Sequence, residues 1–236
     1  MIRFRKAVFI IHGFTGNLYD NEYLMNYLEH DREFDVYAKT LPGHDRDRFS
    51  NAKYTDWVRF VDNEIDYLVS LGYKTIYVIG HSMGGVLASY VTSRHKEVKK
   101  LVLINAAFNY INLKQNKLDI ITNKDFSKYS HLLEKLLRTS LMFFIEFTKL
   151  VKKHKNVLEK VACDTLVLQS DGDEIIPFET GKEIYEKLGS TKKYLTTLRD
   201  CSHVALVTER KEDISEYIRS FLKGGRKWKK NMKDVL

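Results

Sequence analysis

The chain has 236 residues, of which 44% are hydrophobic and 30% charged, with 2 prolines and 2 cysteines. This balance is that of a globular chain able to build its own core, and it excludes collagenous, disulfide-framework and low-complexity classes. The formal charge of +8 does not point to nucleic acid, because Lys223, Arg226, Lys227, Lys229, Lys230 and Lys233 crowd the C-terminal end against one acid, Asp234. No basic stripe with interleaved aromatics crosses the rest of the chain. Residues 224–236 read as a solvated basic tail, with contact to an anionic surface through Trp228 as the other reading.

Short β-branched and aliphatic runs recur at residues 7–11, 35–40, 75–79, 100–105, 165–169 and 194–198, each bounded by turn residues. Several are apolar without alternation, as expected of parallel strands covered on both faces. Segments of helical period lie between or after them, at residues 20–30, 54–71, 83–94, 179–188 and 211–222. In the second of these Trp57, Val61, Ile65 and Leu68 share one stripe, and Gly72 supplies a stop. The alternation predicts an α/β fold, a mostly parallel sheet with helices on both faces. One stretch breaks the rhythm: roughly sixty residues without a strand follow Asn105, far more than a crossover needs. Residues 132–137 and 141–151 read as helical there, and residues 112–160 are expected to form an inserted helical cap. The core is then residues 1–111 and 161–223.

The apolar run at residues 7–11 is too short for the hydrophobic part of a signal peptide. Nothing approaches the ~20 apolar residues of a spanning helix. The expectation is a cytoplasmic protein without stable membrane insertion, with Cys163 and Cys201 as reduced thiols. The sequence carries no signal for an oligomeric state.

Gly80-His81-Ser82-Met83-Gly84 matches G-x-S-x-G between a predicted strand and a predicted helix, the context this motif requires. A tight turn there exposes the Ser82 hydroxyl as a nucleophile, and the following helix aims its first amides at the charge formed during attack. His12-Gly13-Phe14-Thr15-Gly16 follows the first strand. The backbone N–H groups of Phe14 and Met83 are the natural oxyanion donors, and His12 itself reads as structural. Serine needs a base. His203 follows the last strand and precedes the last helix, so it emerges at the same sheet edge as Ser82, whereas His81 is expected to point away across the turn. Asp171, Asp173 and Glu174 follow the strand at 165–169. Asp173 is the preferred acid and Asp171 the runner-up. The order Ser82, Asp173, His203 is that of α/β-hydrolases and not of chymotrypsin or subtilisin.

The chain resembles the α/β-hydrolase superfamily, and within it bacterial carboxylesterases and monoacylglycerol lipases. The resemblance rests on His-Gly-Phe-Thr-Gly-Asn at residues 12–17, the Gly-His-Ser-Met-Gly-Gly elbow, Asp-Glu-Ile-Ile-Pro from Asp173 and Ser-His-Val from Ser202. It runs from about Ala7 to Leu222 and is weakest in the cap. The family's leading antiparallel strands are expected to be missing or vestigial, and the cap is expected to be modest. The resemblance implies an ester-hydrolysing triad and an apolar acyl pocket under the cap, acting on short- to medium-chain esters. His44, Phe108, Met142, Phe143, Phe144, Phe147, Ile176 and Val204 are the candidate lining, though the cap phenylalanines could equally pack the cap onto the core. No metal and no organic cofactor is expected, since no ligand cluster has metal spacing. The partner is a small-molecule ester. Thioesterase, feruloyl esterase, amidase and carbon–carbon hydrolase activities share such a triad. A ligand-binding receptor with vestigial hydrolysis is the reading from another class.

Overall fold

The computed structural model describes residues 5–45, 48–49, 52–109 and 140–224. Six strands form one sheet: β1 (Lys6–Ile11), β2 (Phe34–Ala38), β5 (Ile76–His81), β6 (Val98–Ile104), β7 (Asp164–Ser170) and β8 (Lys193–Leu198). Their order is β2-β1-β5-β6-β7-β8, and every neighbouring pair is parallel. These are the six runs read from the sequence. The two remaining strands, β3 (His44–Asp45) and β4 (Arg48–Phe49), form a small antiparallel ribbon whose two-residue arms are too short to leave a periodic signal.

A parallel sheet must be covered on both faces, and alternate strand residues supply two cores. Phe9, Ile11, Val78, Leu101, Leu103 and Val167 face α2 (Tyr54–Ser70), α3 (Met83–Thr92), α4 (Leu141–Lys153) and α5 (Glu179–Lys187). Val8, Ile10, Val102, Ile104, Leu166 and Leu168 face α1 (Glu22–Glu29) and α6 (Lys211–Lys223). The α2 stripe Trp57, Val61, Ile65 and Leu68 is buried, and Gly72 takes φ 94 where the helix ends. The helix expected at residues 20–30 is split. Asn17 accepts from the Tyr19 N–H and Asp20 accepts from the Asn17 N–H, which winds Leu18–Asn21 into a 3₁₀ turn before α1 begins.

Between α1 and α6, Asp31 accepts from Arg219 at 2.9 Å and Lys223 at 2.8 Å, and Tyr27 donates to Glu216 at 2.8 Å. Lys223 therefore belongs to the fold, and Gly224, with φ 72, ends α6. The tail beyond it, the helix expected at 132–137 and most of the expected cap, residues 112–139, lie outside the described residues. Within that expected cap, α4 and the 3₁₀ turn Val157–Lys160 are described, and α4 packs against α2 and α3. Both cysteines are free, and no described helix is long and apolar enough to cross a membrane.

The chain passes from β1 outward to β2 and then back across to β5. The carboxyl ends of β1 and β5 thus meet at the point where strand order reverses, where open α/β sheets place their ligands. Trp57 holds α2 to this end: it is buried and its Nε1–H donates to the Pro42 carbonyl at 2.8 Å. Trp57→Ala should lower the unfolding free energy by about 3–5 kcal/mol, read from urea denaturation. A loss below about 1 kcal/mol would show that the α2 stripe is not a principal contact.

Candidate active site

The turn from β5 into α3 is built by close backbone approach. A Cβ on Gly80 would lie 2.3 Å from the Gly84 carbonyl oxygen, and one on Gly84 would lie 2.2 Å from the Ile11 carbonyl oxygen. Only hydrogen fits at either position. Between them Ser82 takes φ 54 and ψ −121, a left-handed conformation that costs a β-carbon residue about 1–3 kcal/mol and persists where neighbours over-determine it. They do so here. The Ser82 N–H donates to Ile104 O at 2.9 Å, and its carbonyl accepts from Gly85 N at 2.9 Å and Ala107 N at 3.1 Å.

The hydroxyl so presented lies 3.0 Å from His203 Nε2. The other ring nitrogen, Nδ1, lies 2.9 Å from Asp173 Oδ2 and 3.0 Å from Oδ1. The Asp173 side chain is fully buried, and its Oδ1 also accepts from the N–H groups of Ile175 and Ile176 at 2.8 Å each. A carboxylate held this way fixes the Nδ1–H tautomer and leaves Nε2 free to accept the serine proton. Asp171 takes no part, since its carboxylate accepts from the Asp200 N–H at 2.9 Å.

Three further residues converge on His203 that the sequence did not single out for this purpose. Asn105, fully buried at the end of β6, donates from Nδ2 to the His203 carbonyl at 2.9 Å. His81 Nε2 lies 2.9 Å from the same carbonyl. Glu174 accepts from the His203 N–H at 3.0 Å. A buried polar residue at a strand's carboxyl end is the only sequence signal that Asn105 offers.

The loop after β1 lies against the elbow, for a Cβ on Gly13 would stand 3.0 Å from Ser82 Cβ. His12 holds this loop: its Nδ1 lies 2.9 Å from Gly13 O and its Nε2 accepts from the Leu41 N–H at 2.9 Å. Those two bonds define a neutral imidazole with both nitrogens occupied, a structural part. Thr15 turns the loop at φ 58. The N–H groups of Phe14 and Met83 donate to no backbone carbonyl among the described residues, Met83 because the first turn of a helix has no intrahelical acceptor.

The candidate lining residues divide by burial. The Phe14 ring stacks on Phe143 at 5.1 Å and Phe147 at 4.8 Å, and Phe143 also meets Trp57 at 5.2 Å and His44 at 5.0 Å. Phe143 and Phe147 are buried in this cluster, whereas Phe144 is half-buried and Met142 is 58% exposed. His44 does not sit in an open loop. It begins β3, is buried beside His12, and also edges a separate cleft of about 370 Å³ with Asn17, Tyr19, Glu22 and Thr40. Phe108 is buried next to Ile184 and Leu158, Ile176 is buried behind the Asp173 loop, and Val204 is half-buried just after His203.

Glu146 and Lys149, charged residues within the apolar α4 sequence, lie beside the cluster. Glu146 is buried, accepts from the Tyr54 N–H at 3.1 Å, and is paired with Lys149 at 2.6 Å. Its carboxylate thus caps the N-terminus of α2, where the helix dipole favours negative charge. Among the described residues no three His, Cys, Asp or Glu side chains are grouped to hold a metal ion.

Burial pushes three imidazoles here below the ordinary 6.5: His12 downward, His44 to about 3 with help from neighbouring His12, and His81 to about 4 with help from His203. A group depressed in the folded state stays neutral there but gains a proton on unfolding. The associated stability is complete above pH 6.5 and is lost as pH falls toward 3–4. Asp31, where burial pushes upward but hydrogen bonds from Lys223, the Glu33 N–H and Arg219 together lower it to about 2, adds its own dependence only at more acid pH. The urea midpoint should therefore fall from about pH 7 to pH 5, with net proton uptake on unfolding. An unchanged midpoint over that range would contradict neutral burial of these rings.

Residues 6–138 match the family described as alpha/beta hydrolase fold. A thermostable monoacylglycerol lipase of Bacillus sp. (strain H-257) is 28% identical over 222 residues, covering 84% of this chain and 83% of that protein. A carboxylesterase of Bacillus subtilis (strain 168) is 24% identical over 237 residues, 92% of each. A solved structure among the metagenome-derived lipolytic enzymes LipS and LipT superposes with a TM-score of 0.75 at 21% identity, covering 94% of this chain and 95% of that one. With the family match spanning more than half the sequence and the sheet order, elbow and loop placement as described, the chain belongs to the α/β-hydrolase family.

Proposed function

We propose that this protein is a serine hydrolase of carboxylic esters, with Ser82 as nucleophile, His203 as general base and acid, and Asp173 as the orienting carboxylate. The observation that carries the reading is the continuous hydrogen-bonded chain from Ser82 Oγ to His203 Nε2 (3.0 Å) and from His203 Nδ1 to Asp173 (2.9 Å), set on a strained turn. The names of the two bacterial relatives, a monoacylglycerol lipase and a carboxylesterase, favour an ester as substrate.

In this reading His203 Nε2 takes the hydroxyl proton as Ser82 Oγ attacks the ester carbonyl. The N–H groups of Phe14 and Met83 receive the resulting oxyanion. The imidazolium, stabilised by Asp173, gives its proton to the departing alkoxide and leaves an acyl group on Ser82. Water then repeats the sequence, with His203 again taking and returning the proton, and releases the acid. Every step uses side chains, backbone amides and water, so dialysis against a chelator should leave the rate unchanged.

We assign the acyl-facing wall to α4, within the cap expected at residues 112–160. An apolar wall favours each added methylene by about 0.8 kcal/mol until the chain outgrows the space. A modest cap then sets the optimum at short to medium acyl chains and excludes large triglycerides. Phe143 and Phe147 are buried while Phe144, which also meets the Phe14 and Phe147 rings, is half-buried, and we take Phe144 as the better selector. Phe144→Ala should shift the preferred chain length in a nitrophenyl ester series. Phe143→Ala and Phe147→Ala should chiefly lower thermal stability. If none of the three moves the optimum, the α4 aromatics do not select the acyl group.

Ser82→Ala should lose roughly 10⁴-fold or more in kcat, as removal of a triad member does in other serine hydrolases. A fluorophosphonate should modify the wild-type protein once, on the peptide bearing Ser82. Labelling that survives in Ser82→Ala would sink the assignment.

A further inference from the structure

His203 sits between β8 and the 3₁₀ turn Ala205–Val207, in a stretch without regular structure of its own. The bonds of its ring to Ser82 and Asp173 orient the imidazole but leave the peptide to be fixed by something else. Two side chains outside the triad grip that peptide from opposite ends. Glu174 Oε2 accepts the His203 N–H at 3.0 Å, and Asn105 Nδ2 donates to the His203 carbonyl at 2.9 Å. His81 Nε2, at 2.9 Å, shares the same carbonyl.

Both gripping residues are themselves anchored. Glu174 directly follows Asp173, so one loop after β7 holds the histidine ring through Asp173 and its backbone through Glu174. Asn105 is fully buried and adopts φ 46, a left-handed conformation. Its Oδ1 accepts from Ser170 N at 2.8 Å, and its Nδ2 also reaches Ser170 Oγ at 2.9 Å and Ser202 O at 3.4 Å. Its own N–H donates to Leu168 O at 2.9 Å. Asn105 thereby joins β6, β7 and the histidine loop at one point. A strained, buried, fully bonded asparagine of this kind persists where the surroundings require it.

We propose that Glu174 and Asn105 are positioning residues that clamp the His203 peptide and so set the distance between its Nε2 and the Ser82 hydroxyl. Neither touches the reacting atoms. They act through His203, and the proposal rests on the reading of His203 as the base. Proton transfer and attack need near-contact alignment, and a displacement of 1 Å can cost about 100-fold in rate. The Glu174 side chain, tethered to the loop that carries Asp173, keeps an acceptor oxygen 3.0 Å from His203 N and fixes the loop in a way that a free water molecule in its place would not.

The test compares Glu174→Ala, Glu174→Gln, Asn105→Ala and His203→Ala in the full-length protein. The readouts are kcat and KM on nitrophenyl butyrate, the inactivation rate constant with a fluorophosphonate, and thermal melting. Glu174→Ala should lower kcat and the inactivation rate constant together by about 10- to 100-fold, with KM changed by less than about twofold. Glu174→Gln keeps an acceptor oxygen and should remain within about threefold of wild type. Asn105→Ala, if folded by melting, should fall in the same way. If it does not fold, the Glu174 pair alone decides. A folded Glu174→Ala with kcat within about twofold of wild type overturns the clamp, as does Glu174→Gln falling as far as Glu174→Ala. His203→Ala separates the two levels. If it stays active, the base assignment fails; if it is inactive while Glu174→Ala is unimpaired, only the clamp fails.

Discussion

At the end of β5 the backbone reverses between strand and helix while the first turn of α3 presses against the Ile11 carbonyl. There is room for this only because positions 80 and 84 carry no side chain, since a Cβ at either would stand within 2.3 Å of a backbone oxygen. The approach brings the β1 loop beside Ser82, where a Cβ on Gly13 would stand 3.0 Å from Ser82 Cβ. It also forces Ser82 into the left-handed region, and the bonds to Ile104, Gly85 and Ala107 hold it there. The rest of the site depends on this packing. A relaxed serine would retreat into the turn, and neither the imidazole nor the amide donors would have anything to address.

Around this turn the parallel sheet brings together parts that lie far apart in sequence. Parallel strands all end on one edge, so the loops after β1, β5, β6, β7 and β8 deliver Phe14, Ser82, Asn105, Asp173 and His203 to the same place. Electrostatics then separates the histidines by environment. Burial lowers the pKa of His12, His44 and His81. The ring of His203 has the Asp173 carboxylate, whose side chain is fully buried, 2.9 Å from Nδ1.

The sequence made the sheet and the elbow legible because both depend on local patterns. Unbroken apolar runs marked the strands, the Trp57–Leu68 stripe marked α2, and two glycines flanking a serine marked the strained turn. The β3–β4 ribbon left no trace, because two-residue arms have no period. The grip on His203 was invisible for a different reason: Asn105 and Glu174 matter through contacts spanning 98 and 29 residues, and neither belongs to a local motif. Glu174 was visible only as a spare acid beside Asp173. The contact of His81 with the His203 carbonyl depends on where the β8 loop returns. The division of the α4 phenylalanines into packed and half-exposed likewise depends on Phe14 and Trp57, which come from distant segments.

The central claim is that an acyl group passes through Ser82. It is tested most directly by mixing the protein with an ester that deacylates slowly, quenching in acid within the first turnover, and measuring the intact mass and the modified peptide. The account predicts a mass gain equal to one acyl group, located on the peptide containing Ser82, that decays at the steady-state hydrolysis rate. An acyl group on a different residue, or ester turnover with no acylated protein during a pre-steady-state burst, would contradict it.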